Sequence, residues 1–319
     1  MRFHLGVFKP FAVPFVLLLC RGPADGQTSL RDTHASQDLP HFSANSTLVI
    51  IPVSVTDSSN RFVLGLQKQD FQIFEDGVQQ TVAHLSGEDT PLSVGLVLDT
   101  SGSMGDKLAT SRRAVAQFLK TMNPQDETFL IEFNDQPALA VEFTSDVEEI
   151  EDKLTYLQAQ GLTAMLDAVN MALHEMRKAK NPRKAILIIS DGGDNHSRYT
   201  SHEIQSLVRE ADVQIYAMGV FEPSIFVGMT PEVISGPRLL AELAQQTGGR
   251  AFSATISNDL PSVAARIGIE LRNQYVLAYS PKNQDRNGNY RHVEVKISQP
   301  RGLPLFKAHW RLGYYAPIQ

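Results

Sequence analysis

The chain is 319 residues long, 42% of them hydrophobic, and carries a formal net charge of −6 at pH 7. That length and apolar fraction support a sizeable core, and an acidic balance without a long basic run argues against nucleic acid as a partner. The only cysteine is Cys20, which excludes a disulfide framework.

Met1-Arg2 and Lys9 precede an apolar stretch from Phe11 to Cys20. The stretch is too short to span a bilayer comfortably and reads as the core of a signal peptide over residues 1–26. Small residues at Ala24 and Gly26 suit cleavage after Gly26. The expectation is an exported protein, secreted, periplasmic or on the cell surface, with no transmembrane helix after the signal peptide. Cys20 offers a lipoprotein alternative, disfavoured because Leu19 stands where a small residue is needed. Residues 27–45 are polar and aperiodic and read as a flexible leader.

From residue 46 to 90 the pattern is β. Thr47–Val55 is an apolar run rich in Val and Ile, and Thr56–Asn60 is turn-forming. Asp70–Phe74 alternates, Glu75-Asp76-Gly77 is a hairpin turn, and Gln80–Leu85 reads as the return strand.

Residues 91–272 alternate strands with helices. Strands are expected at Ser93–Asp99, Phe129–Phe133, Leu139–Phe143, Lys184–Ser190, Val213–Met218 and Arg250–Phe252. Helical periodicity follows Gly105, Ser145, Thr163 and Ser201, and recurs at Leu239–Gln246 and Asp259–Arg272. This alternation predicts an α/β fold with a doubly wound, mostly parallel sheet. Residues 273–319 return to β, with alternation at Gln274–Tyr279 and His292–Ile297, turn chemistry at Asn287-Gly288 and a last strand at Lys307–Arg311. Neither flank has enough strands to bury a face alone. The economical solution packs 46–90 against 273–319 as a β-sandwich, with the central domain inserted between them.

The strand at Ser93–Asp99 stops in Asp99-Thr100-Ser101-Gly102-Ser103. One carboxylate and two hydroxyls at alternating positions set hard oxygens around one point, which suits a magnesium-like cation. Alone, Asp-x-Ser-x-Ser is weak. It arises by chance in about one chain in ten of this length, and a capped turn explains it equally well. Two further loops add weight. Thr163 lies in a loop before a helix, and Lys184–Ser190 ends in Asp191-Gly192-Gly193-Asp194. In open α/β sheets, ligand groups gather outside the carboxyl ends of strands.

The set Asp99-x-Ser101-x-Ser103, Thr163 and Asp191 resembles the metal-ion-dependent adhesion site of von Willebrand factor A domains. The resemblance covers about Pro91 to Arg272. It implies that Ser101, Ser103 and Thr163 contact the ion directly, and that Asp99 and Asp191 bind it directly or through water. Asp194 is either a supporting residue behind those ligands or simply a loop acid. The implied ion is Mg2+, or Mn2+ or Ca2+, and the implied partner is a protein that completes the coordination with an Asp or Glu carboxylate. Asp70-Phe71, Phe74–Gly77, Asp99–Met104, Thr247-Gly248-Gly249, Tyr275-x-Leu277-x-Tyr279 and Gly313-Tyr314-Tyr315 together look like the bacterial exported, acidobacterial-type VWFA-related domain family.

Enzyme readings find less support. His174-Glu175 and His202-Glu203 begin zinc-protease-like words, but neither has a second His on the same helical face. Ser101 has no His in its motif to act as a base. Magnesium hydrolases normally gather more carboxylates than Asp99 and Asp191. The expected function is therefore a non-enzymatic, adhesion-type binding module of a bacterial envelope. A metal-dependent hydrolase and a structural envelope subunit with an idle metal site are the alternatives.

Overall fold

The computed structural model describes residues 48–87, 89–221, 231–255, 259–298 and 305–318. The segments expected as signal peptide and leader, with Cys20, lie outside the described residues.

The N-terminal flank forms β1 (Val49–Thr56), β2 (Phe71–Glu75), β3 (Val78–Gln80) and β4 (Val82–Ser86). Asp76 and Gly77 both take positive φ, 48° and 80°, as the tight turn between twisted antiparallel strands requires. The expected single return strand is two strands. β3 pairs with β2, whereas β4, one residue later, joins a different sheet beside a strand of the C-terminal flank.

The central region comprises β5 (Leu92–Asp99), α1 (Leu108–Leu119), β6 (Glu127–Phe133), β7 (Pro137–Thr144), α2 (Val147–Tyr156), α3 (Met165–Glu175), β8 (Arg183–Ser190), α4 (Ser201–Glu210), β9 (Gln214–Phe221), α5 (Pro231–Gln246), β10 (Ala251–Thr255) and α6 (Asp259–Arg272). Its six strands run in the order β10-β9-β8-β5-β6-β7. All neighbours are parallel except β7, which returns antiparallel on β6 at one edge. Every residue of β5 is buried, as expected of a central strand covered on both faces. Apolar residues of α1, α2 and α6 join one core cluster, and those of α3, α4 and α5 join the other. Helices therefore cover both faces of the sheet. Capping fixes two of the starts: Asp146 accepts from Glu148 N–H before α2, and Thr200 and Glu203 form a capping box at α4.

α5 begins eight residues before the expected Leu239 and runs through Pro237. A proline inside a helix removes a backbone hydrogen bond and costs about 3 kcal/mol. The residue before Pro237, Gly236, lies directly against the backbone of Gly192.

The C-terminal flank supplies β11 (Tyr275–Tyr279), β12 (Tyr290–Ile297), β13 (Lys307–Trp310) and β14 (Gly313–Tyr315). β14 was not expected from the sequence. Two four-stranded sheets result, β13-β1-β11-β4 and β14-β12-β2-β3, each mixing strands from both flanks. Ile51 is level with Leu277 in one, and Ile73 with Val295 in the other. The two sheets share one apolar cluster that includes Ile51, Ile73, Leu277 and Val295. A buried polar knot also joins them: Glu75 pairs with Arg291 at 3.1 Å and accepts from the hydroxyls of Tyr279 and Tyr314, each at 2.8 Å. Among the described residues, no helix is long and apolar enough to cross a membrane.

Candidate metal centre

β5 and β8 lie side by side and end together, with Leu98 level with Ile189. Asp99 therefore meets Ser190, whose hydroxyl donates to Asp99 Oδ2 at 2.6 Å. Beyond Asp99 the chain turns sharply. Thr100 N–H donates to Phe133 O at 2.8 Å at the end of β6, and Ser101 N–H donates back to Asp99 Oδ1 at 2.9 Å. An Asp side chain bonding a backbone amide two residues on is a common way to lock a turn. A short 3-10 turn over Gly102–Met104 follows, and the Ser101 and Ser103 hydroxyl oxygens come to 3.1 Å of each other.

The loop bearing Thr163 is zipped onto this turn. Gly102 N–H donates to Gly161 O at 3.0 Å, and Gln160 N–H to Thr100 O at 2.8 Å. Gly161 has φ +76°, and a Cβ there would lie 2.5 Å from Asp135 Oδ2, so the close approach demands glycine. From the other side, Thr163 N–H donates to Asn195 Oδ1 at 2.9 Å, and Thr163 O accepts from the backbone N–H of Asn195 and His196, each at 3.1 Å. Asn195 belongs to the loop that leaves β8, so the loops of Asp99, Thr163 and Asp191 are mutually hydrogen-bonded.

Asp191 Oδ1 accepts from Gly193 N–H at 3.3 Å. Its Oδ2 faces Lys107 Nζ at 3.1 Å. Gly192, with φ +80°, packs on α5, and a Cβ on it would fall 2.6 Å from the Gly236 carbonyl carbon. Asp194 is engaged elsewhere. It accepts from Leu166 N–H at 2.8 Å and from the Ser197 hydroxyl at 2.6 Å. It thus serves one of the first-turn amides of α3 that have no partner within the helix.

Asp99, Ser101, Thr163 and Asp191 are buried, and Ser103 is exposed at the rim. Asp99 has no accessible surface and makes no ion pair among the described residues. Burial is the largest influence on its carboxyl and pushes its pKa up to about 6, against the lowering effect of the Ser101 and Ser190 hydrogen bonds. A desolvated carboxylate held only by neutral donors gains from a cation beside it. Among the described residues, no cluster of three or more His, Cys, Asp or Glu is placed to hold a metal ion. A cation at this point would have to draw on hydroxyl oxygens as well as carboxylates. Two carboxylates and three hydroxyls fit a hard cation of the magnesium kind, which keeps positions for water or an incoming ligand.

Lys107 was not anticipated from the sequence. No local motif marks it. It reaches Asp191 only because β5 and β8 are neighbours in the sheet. The histidines of the protease-like words are exposed on α3 and α4. Glu175 pairs with Lys178 at 2.8 Å, and Glu203 belongs to the capping box of α4.

Residues 94–193 match the family model of the von Willebrand factor type A domain, a span that contains Asp99, Ser101, Ser103, Thr163 and Asp191. Inter-alpha-trypsin inhibitor heavy chain H4 of Bos taurus is 32% identical over 134 residues, which are 38% of this chain and 15% of that protein. A protein of Borreliella burgdorferi is 24% identical over 180 residues, 50% of this chain and 52% of the relative. The chain thus spans about half or less of the length of these curated relatives. Among solved structures, von Willebrand factor type A from Catenulispora acidiphila superposes with a TM-score of 0.50 at 12% identity, covering 87% of this chain and 76% of that one. That likeness concerns the fold and extends beyond the central sheet. With a doubly wound sheet, helices on both faces and the family match centred on β5 to β8, the chain carries a von Willebrand factor type A domain.

Proposed function

We propose that the protein is an exported, metal-dependent binding module that recognises an acidic group on a protein partner. Asp99, Ser101, Ser103, Thr163 and Asp191 would hold Mg2+, or Mn2+ or Ca2+ in its place, and Asp194 would hold the start of α3 behind them. The observation that carries this reading is Asp99, a fully buried carboxylate without a cationic partner at the point where two hydroxyl oxygens stand 3.1 Å apart. A bound ion would supply a hard, electrophilic contact for a carboxylate. The chain's own residues set where that contact lies. Ser103 is the exposed member of the set, so a partner approaches from the rim of the 3-10 turn. The apolar run at Phe11–Cys20 supports export, and the flanking motifs favour the acidobacterial-type family. A binding role is preferred to catalysis because the hydroxyl and carboxylate groups here are tied to backbone amides and to one another.

The test is a melting curve of the full chain in EDTA and with increasing Mg2+. At an ion concentration ten times the dissociation constant, linkage stabilises the folded state by about 1.4 kcal/mol. Asp99→Asn should lose the shift. It keeps the volume, and its amide can still accept from Ser101 N–H and donate to Ser190. A wild-type curve indifferent to Mg2+, Mn2+ and Ca2+ overturns the reading. In the second arm, a protein captured on the immobilised chain in Mg2+ should be released by EDTA and not be held by Asp99→Asn.

A further inference from the structure

Lys107 stands four residues beyond Ser103, where the 3-10 turn carrying that serine passes into α1. Its backbone N–H donates to Met104 O at 2.9 Å, so its stem is anchored on the same turn as Ser101 and Ser103. Its ammonium reaches across the sheet edge to Asp191 Oδ2 at 3.1 Å. The pair is well shielded: the lysine side chain is 12% exposed and that of Asp191 5%. Lysine is a compact point charge on a flexible four-carbon stem. It can neutralise a carboxylate without fixing it in a fork and can withdraw without moving the backbone.

We propose that Lys107 is the built-in counter-ion of the metal-free centre. This rests on the reading of the centre as a metal site. In the free protein the ammonium neutralises Asp191 and keeps its loop in place against the 3-10 turn. A divalent cation and the ammonium are like charges and compete for the same carboxylate. Metal uptake therefore requires Lys107 to leave Asp191 or to remain beside the ion at an electrostatic cost. In either case the lysine lowers the affinity for the ion. Removing its charge should tighten metal binding and weaken the metal-free fold, a pair of effects of opposite sign that a purely structural salt bridge would not give.

The test uses the full chain and Mn2+ as the probe, with the bound fraction read from the loss of the free-ion electron paramagnetic resonance signal. Lys107→Met and Lys107→Gln should each bind Mn2+ about tenfold more tightly than wild type, a change of about 1.4 kcal/mol. Lys107→Gln retains a donor toward Asp191 and so separates loss of charge from loss of contact. In EDTA both variants should melt below wild type, and saturating Mn2+ should close that gap. Equal or weaker Mn2+ binding by both variants overturns the proposal and leaves the metal reading standing. So does an unchanged melting temperature in EDTA. Failure of wild type and both variants to bind Mn2+ overturns the two together.

Discussion

Burial shifts the proton equilibrium of His309. His309 on β13 lies level with Ser54 of β1. Burial is the main reason its pKa is lowered to about 4, with the charges of Arg250 and Lys307 adding to the effect. The unfolded chain takes up the proton near pH 6.5, whereas the folded chain resists until about pH 4. The stability this residue contributes is thus present above the unfolded value and is lost as pH falls between them. The ring is partly exposed, and after allowance for solvent screening the loss is about 1–2 kcal/mol. Urea midpoints of wild type should fall between pH 7 and pH 5, and His309→Gln should fall by less. Parallel slopes would remove His309 from the acid sensitivity. Asp99 illustrates which part of the centre the sequence discloses. Its position at a strand end is legible from the apolar run before it, but its complete burial depends on the Thr163 and Asp191 loops, which come from distant parts of the chain. Lys107 was illegible for the same reason.

At the level of elements, α6 is the best-behaved case: its apolar periodicity gave both ends, Asp259 and Arg272. What holds it in place is not periodic. Gly268 lies against Thr121, where any Cβ would collide. Arg272 pairs with Asp126 and, at 3.0 Å, with Asp89. Glu270 accepts from Arg250 at 2.9 Å and from the Tyr216 hydroxyl at 3.2 Å. Gln274 donates to both Tyr216 and Ser54. Burial raises the Glu270 pKa, an effect that Arg250 counters. Arg250→Met leaves that carboxyl without its partner and should cost about 3 kcal/mol in urea unfolding. Adding Glu270→Gln should return part of the loss, and strictly additive losses would show the pair to be uncoupled. The same clamp should keep hydrogen exchange at Leu271–Tyr279 unchanged by Mg2+, since sliding of α6 would break every one of these contacts. Elsewhere the elements were less legible. α5 runs through Pro237 where local pattern expects a later start, and the run at Gln80–Leu85 divides because Thr81 is where the chain passes between sheets. Local pattern reports which residues face a core, not which of two cores.

Across the whole molecule, the doubly wound sheet was readable from its strand and helix alternation, and the pairing of the two flanks followed from a count of strands too few to stand alone. The strand order was not readable, because alternation is the same for every neighbour a strand could have. β1 lies between β11 and β13, and β12 between β14 and β2, so each sandwich sheet interleaves the two flanks. The buried knot of Glu75, Arg291, Tyr279 and Tyr314 draws its members from both flanks as well.

That interleaving has a consequence in time. Leu66 N–H donates to the Tyr275 hydroxyl across 209 positions of sequence. A chain emerging from the ribosome N-terminus first displays β1 to β4 while most of their eventual neighbours are still untranslated. Closing so long a loop from an unstructured state is slow. The central sheet shortens it. Asp89 before β5 and Arg272 at the end of α6 sit within an ion pair of 3.0 Å, so a folded centre delivers the roots of the two flanks side by side. The insertion would thus serve as a scaffold on which its host is assembled. In refolding followed by pulsed hydrogen exchange, amides of β5 and β8 should become protected before those of β1 and β11.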